Sequence, residues 1–423
     1  MRDAKMTTAM IGIVGMGAMG RGLLYQSTIT PGMRCAVVCD TEIQRCVDTL
    51  EQFKLSYRIV SDAEGLRMAN ERGLVAVCED GGLVAEGQDI NVMIEATSAI
   101  DSAGDRAITA LECGKHVVLM NSEIDLIFGP LLARIAARND VVCTSCDGDQ
   151  YGVLKHMIDE IRLWGFDLVM AGNIKGFLDR YANPTTIIPE ADKRNLDYRM
   201  CTSYTDGTKL NIEMAIIANA FSLKTTEPGM LGPPMADVGE IFDFFNFDKL
   251  WEERVPVVDY ILGAKPGGGV FVVGYCDNPY QRSMLSYYKM GPGPFYLFYR
   301  PYHLCHIEAM SAVLRALSGD CFLRPDFGFR TNVIAYAKRD LHAGESLDGI
   351  GGYTCYGKIE NCGVGGINSG LPICLAYDLR VKCDIVKDSR IRIEDVVYDP
   401  ERTDFRMFRN ALEAANEAAE SSG

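Results

Sequence analysis

The rhythm of apolar and polar positions changes twice along the chain. Up to about residue 150, short apolar runs alternate with amphipathic stretches. Residues 10–14, 35–39, 74–78, 91–95, 116–120 and 141–144 are apolar runs of strand length. Near-continuous apolar character over so few residues predicts strands buried on both faces of a parallel sheet. Residues 22–27 and 102–113 carry helical spacing, and Gly114 follows the second stretch where a C-terminal glycine belongs. Alternation of this kind predicts an open α/β domain.

Beyond that point the pattern becomes mixed. Residues 153–164 read as a helix and 167–172 as a strand leading into Asn173 and Lys175. A polar segment runs from Asn183 through Glu190, Arg194 and Asn195, and residues 198–204 are predicted to be a strand. Asp206-Gly207 is a hairpin or loop signal. Residues 210–220 read as a helix, with Lys209, Glu213 and Ile216 on one face. From about residue 330 a third texture begins: a strand at 332–338, many glycines and Pro372, which predict a compact β module. Residues 404–419 form an amphipathic helical tail, and 420–423 are expected to fray. The predicted architecture is α/β: a dinucleotide-type domain over 1–150, a mixed α/β domain over 151–330, and a small β module with a C-terminal helix over 331–423.

Composition narrows the function classes. The 423 residues are 48% hydrophobic and 23% charged, an ordinary globular balance. The formal net charge of -15 argues against nucleic acid and anionic membranes as partners, because both attract basic patches. The first eight residues hold no apolar leader segment, and no apolar run reaches membrane-spanning length, so a cytoplasmic protein is expected. The fifteen cysteines are scattered. Cys143 and Cys146 form a C-x-x-C without a second pair, so they are expected to be buried small apolar residues and not zinc ligands.

The first apolar run leads directly into Gly15-Met16-Gly17-Ala18-Met19-Gly20. In a G-x-G-x-x-G between strand and helix, the first glycine permits the turn and the second lets a pyrophosphate approach the backbone. The third allows close helix packing. Phosphate oxygens then meet unpaired N–H groups at a helix N-terminus. The second run ends in Asp40, ~20 residues beyond Gly20, where a carboxylate accepts hydrogen bonds from ribose hydroxyls and repels a 2′-phosphate. Gly15, Gly17, Ala18, Met19, Gly20 and Asp40 therefore predict NAD or NADP binding, with NAD favoured; Arg45 is the residue that could instead receive a phosphate.

Other strand ends supply candidate chemistry, because open α/β sheets bind ligands at their C-terminal edges. Thr97 follows the fourth of these runs, where the nicotinamide ribose would pass. Asn121, Ser122 and Glu123 follow the fifth, and Asp147-Gly148-Asp149-Gln150 follows the sixth. A helix N-cap is the plain alternative for this last loop. Carbonyl reduction needs a proton donor and a group that polarises oxygen, and a tuned lysine does both. Lys175 and Lys209 are the candidates, with Glu213 or Asp149 orienting the lysine, whereas Lys115 lies at the wrong edge of its strand. The aromatic run 291–304 offers Arg300 and His303 as substrate contacts, although a histidine in such a run also suits a core role.

At full length the chain resembles the homoserine-dehydrogenase-like oxidoreductases that carry a C-terminal SAF domain. The stretch Ala337-Lys-Arg-Asp-Leu-His-Ala-Gly-Glu-Ser-Leu-Asp-Gly-Ile-Gly-Gly-Tyr353 is similar to that module. Further similar stretches are 114–121, 190–195, 206–209, 213–219 and 300–303. The second type of 1-deoxy-D-xylulose 5-phosphate reductoisomerase falls in the same group. The resemblance implies a Rossmann domain, a catalytic domain that mediates homo-oligomerisation as a dimer or tetramer, and a SAF β-clip. It implies redox chemistry on a small hydroxy-carbonyl compound, phosphorylated or not, and strengthens Asn121, Glu123, Asp149, Lys175, Lys209, Glu213 and Asn219 as site residues. Two departures stand out. Homoserine dehydrogenases place a catalytic lysine where this chain has Asn121-Ser122-Glu123, which argues against homoserine. The reductoisomerase uses NADPH and carries basic residues where this chain has Asp40-Thr41.

The expected function is thus an NAD(P)-dependent oxidoreductase of a small-molecule substrate. The alternatives are a reductoisomerase with a divalent metal on Glu123 and Asp149, a protein that binds cofactor without turnover, and a net isomerase or lyase with a tightly held cofactor.

Overall fold

The computed structural model describes residues 8–194, 196–363, 366 and 368–422; Asn195 and residues 1–7 lie outside the described residues. In chain order the first part contains β1 (Ala9–Val14), α1 (Ala18–Ile29), β2 (Met33–Cys39), α2 (Ile43–Gln52), β3 (Tyr57–Ile59), α3 (Ala63–Glu71) and β4 (Val75–Cys78). It continues with α4 (Gly81–Glu86), β5 (Val92–Glu95), α5 (Asp101–Glu112), β6 (His116–Leu119), α6 (Ser122–Arg138) and β7 (Cys143–Ser145). These strands form one seven-stranded sheet in the order β3-β4-β2-β1-β5-β6-β7. Every pairing in it is parallel. The chain moves outward from β1 to β2 and later returns to the other side of β1 as β5. That reversal makes the C-terminal edge at β1 and β5 the place where a ligand crevice opens. The fold is therefore the predicted α/β class, with a Rossmann-like parallel sheet followed by a separate mixed sheet.

Local chemistry explains the boundaries. Asp62 caps α3 by accepting a hydrogen bond from the Gly65 N–H, and Asn121 caps α6 by accepting from Ile124. Gly114 has φ of 74°, the left-handed conformation that ends α5 cleanly. Ala9, Ile11, Ile13 and Val14 of β1 and Cys35, Ala36, Val37, Val38 and Cys39 of β2 have almost no exposure, as strands covered on both faces must.

The next elements are α7 (Gln150–Leu163), β8 (Asp167–Lys175), α8 (Ile188–Arg194), α9 (Tyr198–Thr205), α10 (Thr208–Phe221), β9 (Lys224–Thr225), α11 (Ile241–Phe244), α12 (Phe247–Leu250), β10 (Val257–Leu262) and β11 (Val270–Tyr275). Then come α13 (Pro279–Tyr287), β12 (Phe295–Arg300), α14 (Cys305–Glu308) and α15 (Met310–Leu317). Strands β8–β12 form a five-stranded sheet in the order β12-β11-β8-β10-β9. β8, β9 and β10 run parallel, and β11 runs antiparallel to both β8 and β12. One face packs Met170, Ile174, Val257, Ile261, Phe271 and Val273 against Met235, Val238, Ile241, Phe245, Phe247 and Trp251. Gly172 makes room for this core: a Cβ there would stand 2.1 Å from the Phe271 ring. The opposite face is covered by α7, which packs along β8 and β11, and by α10, which packs on α7 and β10.

The prediction of a strand over 198–204 is corrected: the segment is α9. Asp197 accepts a hydrogen bond from the Met200 N–H and starts the helix. Cys201 then packs with Ile187 and Ala191. Tertiary packing overrides the strand preference of its Tyr and Thr residues. Asp206-Gly207 joins two helices and not two strands, with Gly207 at φ of 87°.

The last elements are β13 (Thr331–Ala337), β14 (Ser346–Asp348), β15 (Cys355–Asn361), β16 (Tyr377–Val381), β17 (Val396–Val397) and α16 (Thr403–Ser422). β13 pairs with β15, and β14, β16 and β17 form a second small antiparallel sheet. By its internal contacts the chain divides into two compact units. One comprises Met1–Asp149, Leu304–Arg324 and Arg406–Ala414; the other comprises Gln150–His303, Pro325–Phe405 and Ala415–Gly423. The small β module thus shares a unit with the five-stranded sheet. Three hydrogen-bonded links tie it to α10: Gly357 N–H donates to Thr208 Oγ1, Ile359 N–H donates to Asn211 Oδ1, and the Asn219 amide pairs with Thr331.

Candidate active site

In the first unit the glycine loop leaves β1 at Gly15, whose φ of +96° suits glycine. A Cβ on Gly15 would lie 2.8 Å from the Ala96 carbonyl, and one on Gly20 would lie 1.8 Å from the Gly15 oxygen. Those two glycines are required by the fold itself. Gly17 is different, because nothing lies within 4 Å of its would-be Cβ. Gly17 is the N-cap of α1; no side chain caps the helix, and no acidic residue sits in its first turn. Backbone N–H groups with a helix dipole behind them and open space in front of Gly17 are what a pyrophosphate requires. The residues present therefore fit a dinucleotide.

Asp40 follows β2 and is 9% exposed. Its Oδ2 accepts from the Met16 N–H at 2.8 Å and its Oδ1 from the Glu42 N–H at 2.9 Å. The carboxylate thus holds the glycine loop in shape. Carboxylate oxygens have further lone pairs for ribose hydroxyls.

Glu95, read from the sequence only as a strand end, organises the neighbouring loop. It is fully buried and paired with Arg106 of α5 at 3.1 Å. Its Oε1 also accepts from the Thr97 N–H at 3.0 Å and from the Thr97 hydroxyl. Arg106 in turn lies against Gly81, where a Cβ would be 2.4 Å from the Arg106 Cδ. Thr97 is thereby fixed beside the glycine loop. Asn121 spends its amide on structure: Oδ1 caps α6, and Nδ2 donates to the Ala99 carbonyl at 2.7 Å. Glu123 is buried in the first turn of α6, with its Oε2 3.2 Å from the Ser122 hydroxyl. The loop after β7 is buried as well. The Gly148 N–H donates to Asp147 Oδ1, the Ser311 hydroxyl donates to Asp147 Oδ2, and Cys305 Sγ lies 3.8 Å from Asp149 Oδ1. Cys143 and Cys146 are buried free thiols, and burial pushes both well above the ordinary thiol range. They behave as the small apolar residues expected.

In the second unit the sheet register gathers several candidates. Asn173 on β8 pairs with Tyr260 on β10 and Val270 on β11, and Val270 pairs with Arg300 on β12. Paired residues point to one face, so Tyr260, Asn173, Val270 and Arg300 form a row across four strands. Lys175 lies two residues further along β8 on that face. Because β8, β10 and β12 share a direction, Lys175 and Arg300 stand at the same end of the sheet. The Arg300 guanidinium lies 4.4 Å from the centre of the Tyr302 ring. His303 lies just beyond β12, with its Nε2 3.5 Å from Gln150 Nε2. Lys209 and Glu213 occupy successive turns of α10 and are both buried. Asn219, at the end of α10, is committed to Thr331: Oδ1 accepts from its N–H at 2.8 Å and Nδ2 donates to its carbonyl at 3.1 Å.

Two features had no reading in the sequence. Lys338 is buried on β13's outgoing edge, and its ammonium donates to Asp206, to the Ala182 carbonyl and to the Gly352 carbonyl. Asp206 also accepts from the Thr208 N–H, so this ion pair anchors the start of α10 to the β module. The second is Asn173: it is fully buried, and neither its Nδ2 nor its Oδ1 has a hydrogen-bond partner among the described residues. A buried amide left so costs about 1–3 kcal/mol. Only its burial, which spacing does not reveal, singles it out.

A family model described as the catalytic domain of oxidoreductase DRL matches residues 148–309. No curated protein matches the sequence. Among solved structures, the chain is similar to a probable dehydrogenase from Thermotoga maritima at 10% identity and a TM-score of 0.42, covering 74% of this chain and 89% of that one. A scyllo-inositol dehydrogenase from Lactobacillus casei, with bound NAD(H) and scyllo-inositol, is similar at 14% identity and a TM-score of 0.32, covering 63% and 73%. A DOX-P reductoisomerase in complex with NADPH, fosmidomycin and magnesium is similar at 13% identity and a TM-score of 0.34, covering 51% and 58%. With an oxidoreductase catalytic domain following a Rossmann-like sheet, the protein is an oxidoreductase enzyme.

Proposed function

We propose that the protein is an NAD-dependent oxidoreductase of the homoserine-dehydrogenase-like, SAF-bearing kind. Its substrate is a small hydroxylated carbonyl compound or alcohol, phosphorylated substrates included. The observation that carries the cofactor half is Gly17, an N-cap glycine with open space in front of it beside an uncapped helix start. Asp40, held at the end of β2 by two backbone N–H groups, supports NAD over NADP, because a carboxylate at a ribose site would repel a 2′-phosphate. When bound, the nicotinamide supplies or accepts the hydride.

The chain's own part is to hold and move a proton at the substrate oxygen. Lys175 and Lys209 are the groups for this. An ammonium donates a hydrogen bond to a carbonyl oxygen, polarises it, and passes a proton as the alkoxide forms. Glu213, one helical turn from Lys209, is placed to orient it. Arg300 and His303 remain the proposed substrate contacts. The compact strands β13–β17 over the SAF-like run support that part of the reading. A net charge of -15 supports small-molecule partners over nucleic acid, and the same family resemblance supports a cytoplasmic homo-oligomer.

The test is a panel of polyols, hydroxy acids and sugar phosphates, followed at the nicotinamide absorbance with NAD and NADP side by side. Turnover with NAD preferred is the expected result. Tight NAD binding with no turnover across the panel would overturn the enzymatic half in favour of a cofactor-binding role.

A further inference from the structure

We infer that Asn173 binds the substrate, with its side-chain amide hydrogen-bonded to a substrate hydroxyl on the sheet face it shares with Lys175 and Arg300. The inference rests on the reading of the second unit as the substrate unit and adds to it a residue and a recognised group.

Three observations converge on this position. The side chain is fully buried near the C-terminal end of β8, and neither polar atom of its amide has a partner among the described residues. Natural interiors rarely leave such a group unsatisfied, and a functional role is one of the explanations for one that is. The register then puts Asn173 in one row with Tyr260 and Arg300 and one pleat away from Lys175, at the end of the sheet where β8, β10 and β12 all finish. The opposite face packs the apolar cluster around Phe271, Ile261 and Trp251 together with the Asp259 carboxylate, which the Leu231, Gly232 and Tyr260 N–H groups satisfy, whereas on the Asn173 side, under α7 and α10, the Asn173 amide is left without such partners among the described residues.

The amide also narrows the ligand. It presents N–H donors and a carbonyl acceptor a short distance apart, and a hydroxyl group is the partner that can use both. A site built to bind a hydroxyl rejects the deoxy analogue strongly, because the analogue leaves the buried amide unsatisfied. The substrate is therefore a hydroxylated compound whose hydroxyl at Asn173 is required, not tolerated.

The test compares wild type with Asn173→Leu, which keeps the branched shape of the side chain and removes the polar atoms, and with Asn173→Ser. The probes are NAD and the panel of polyols, hydroxy acids and sugar phosphates, each hydroxylated compound paired with its deoxy analogue. Asn173→Leu is expected to melt at or above the wild-type temperature and to bind NAD with unchanged affinity. Its kcat/KM on the best compound is expected to fall at least 100-fold, with its preference over the deoxy analogue abolished. If Asn173→Leu does not fold, Asn173→Ser is expected to fold, with at least a tenfold rise in KM for the hydroxylated compound alone. A lowered melting temperature with unchanged kcat/KM and unchanged preference would assign Asn173 a structural role and overturn the inference. Absence of both turnover and any thermal shift in wild type across the panel would sink the functional reading and this inference together. A wild type and an Asn173→Leu protein that respond equally would sink the assignment of Asn173 alone.

Discussion

At the scale of single residues, the glycines of the first loop separate fold from function. Gly20 has the Gly15 oxygen 1.8 Å from its missing Cβ, whereas Gly17 has open space and an ordinary φ of -71°. Gly20→Ala is expected to destabilise the protein by about 1–3 kcal/mol through overpacking. Gly17→Ala should leave thermal stability within about 0.5 kcal/mol while weakening NAD binding at least about tenfold. Denaturant melts and fluorescence titration separate the two, and a Gly17→Ala protein that binds NAD normally would remove the pyrophosphate from this loop. Asp259 makes a second residue-scale prediction. Burial lifts its carboxyl to about 6 despite hydrogen bonds from the Gly232, Tyr260 and Leu231 N–H groups. An acid whose pKa is raised on folding stabilises the fold fully below its unfolded value near 4 and loses that contribution as pH rises through about 6. The loss amounts to about 3 kcal/mol. Wild type should therefore lose stability relative to Asp259→Asn between pH 4 and 6, and parallel stability–pH curves for the two proteins would refute the assignment.

At the scale of elements, α10 is the piece on which most depends. It carries Lys209 and Glu213 and bonds to β13 and β15 through Thr208, Asn211 and Asn219. Its start is pinned by the buried pair of Asp206 and Lys338, separated by 2.9 Å. Removing one partner of such a pair leaves an uncompensated buried charge, at a cost of about 3–5 kcal/mol. Lys338→Met is expected to lose that much in urea unfolding, and Lys338→Met combined with Asp206→Leu is expected to lose less than the single change. Equal losses would show that the ammonium serves only its two carbonyl partners. The β module is in this sense a support for the helix that carries two candidate catalytic groups.

At the scale of the whole molecule, the proposal is a hydride-transfer enzyme that uses a nicotinamide cofactor, and a chelator separates it from the reductoisomerase alternative with a divalent metal. NAD at about one hundred times its Kd is expected to stabilise the protein by about 2.7 kcal/mol. EDTA should leave that gain unchanged. A turnover that dies with EDTA and returns with magnesium would favour the reductoisomerase reading, with Glu123 and Asp149 as the carboxylates to replace first. No helix among the described residues is long and apolar enough to cross a membrane.

The sequence alone determined whatever depends on near neighbours along the chain. The glycine spacing, the apolar strand runs of the first sheet, Asp40 after β2 and the buried character of Cys143 and Cys146 all follow from short-range pattern. The run at 198–204 shows the limit of that logic, because its strand-forming residues become helical once Asp197 caps them and Cys201 finds Ile187 and Ala191. Only tertiary structure decided that Glu95 takes Arg106, that Asp206 takes Lys338, and that Asn219 spends its amide on Thr331. It alone left Asn173 buried among strands with its amide unsatisfied among the described residues. The physical reason is the same in each case. A local motif is held by backbone geometry within a few residues, whereas the fate of a buried polar group is set by which distant strand or helix arrives beside it.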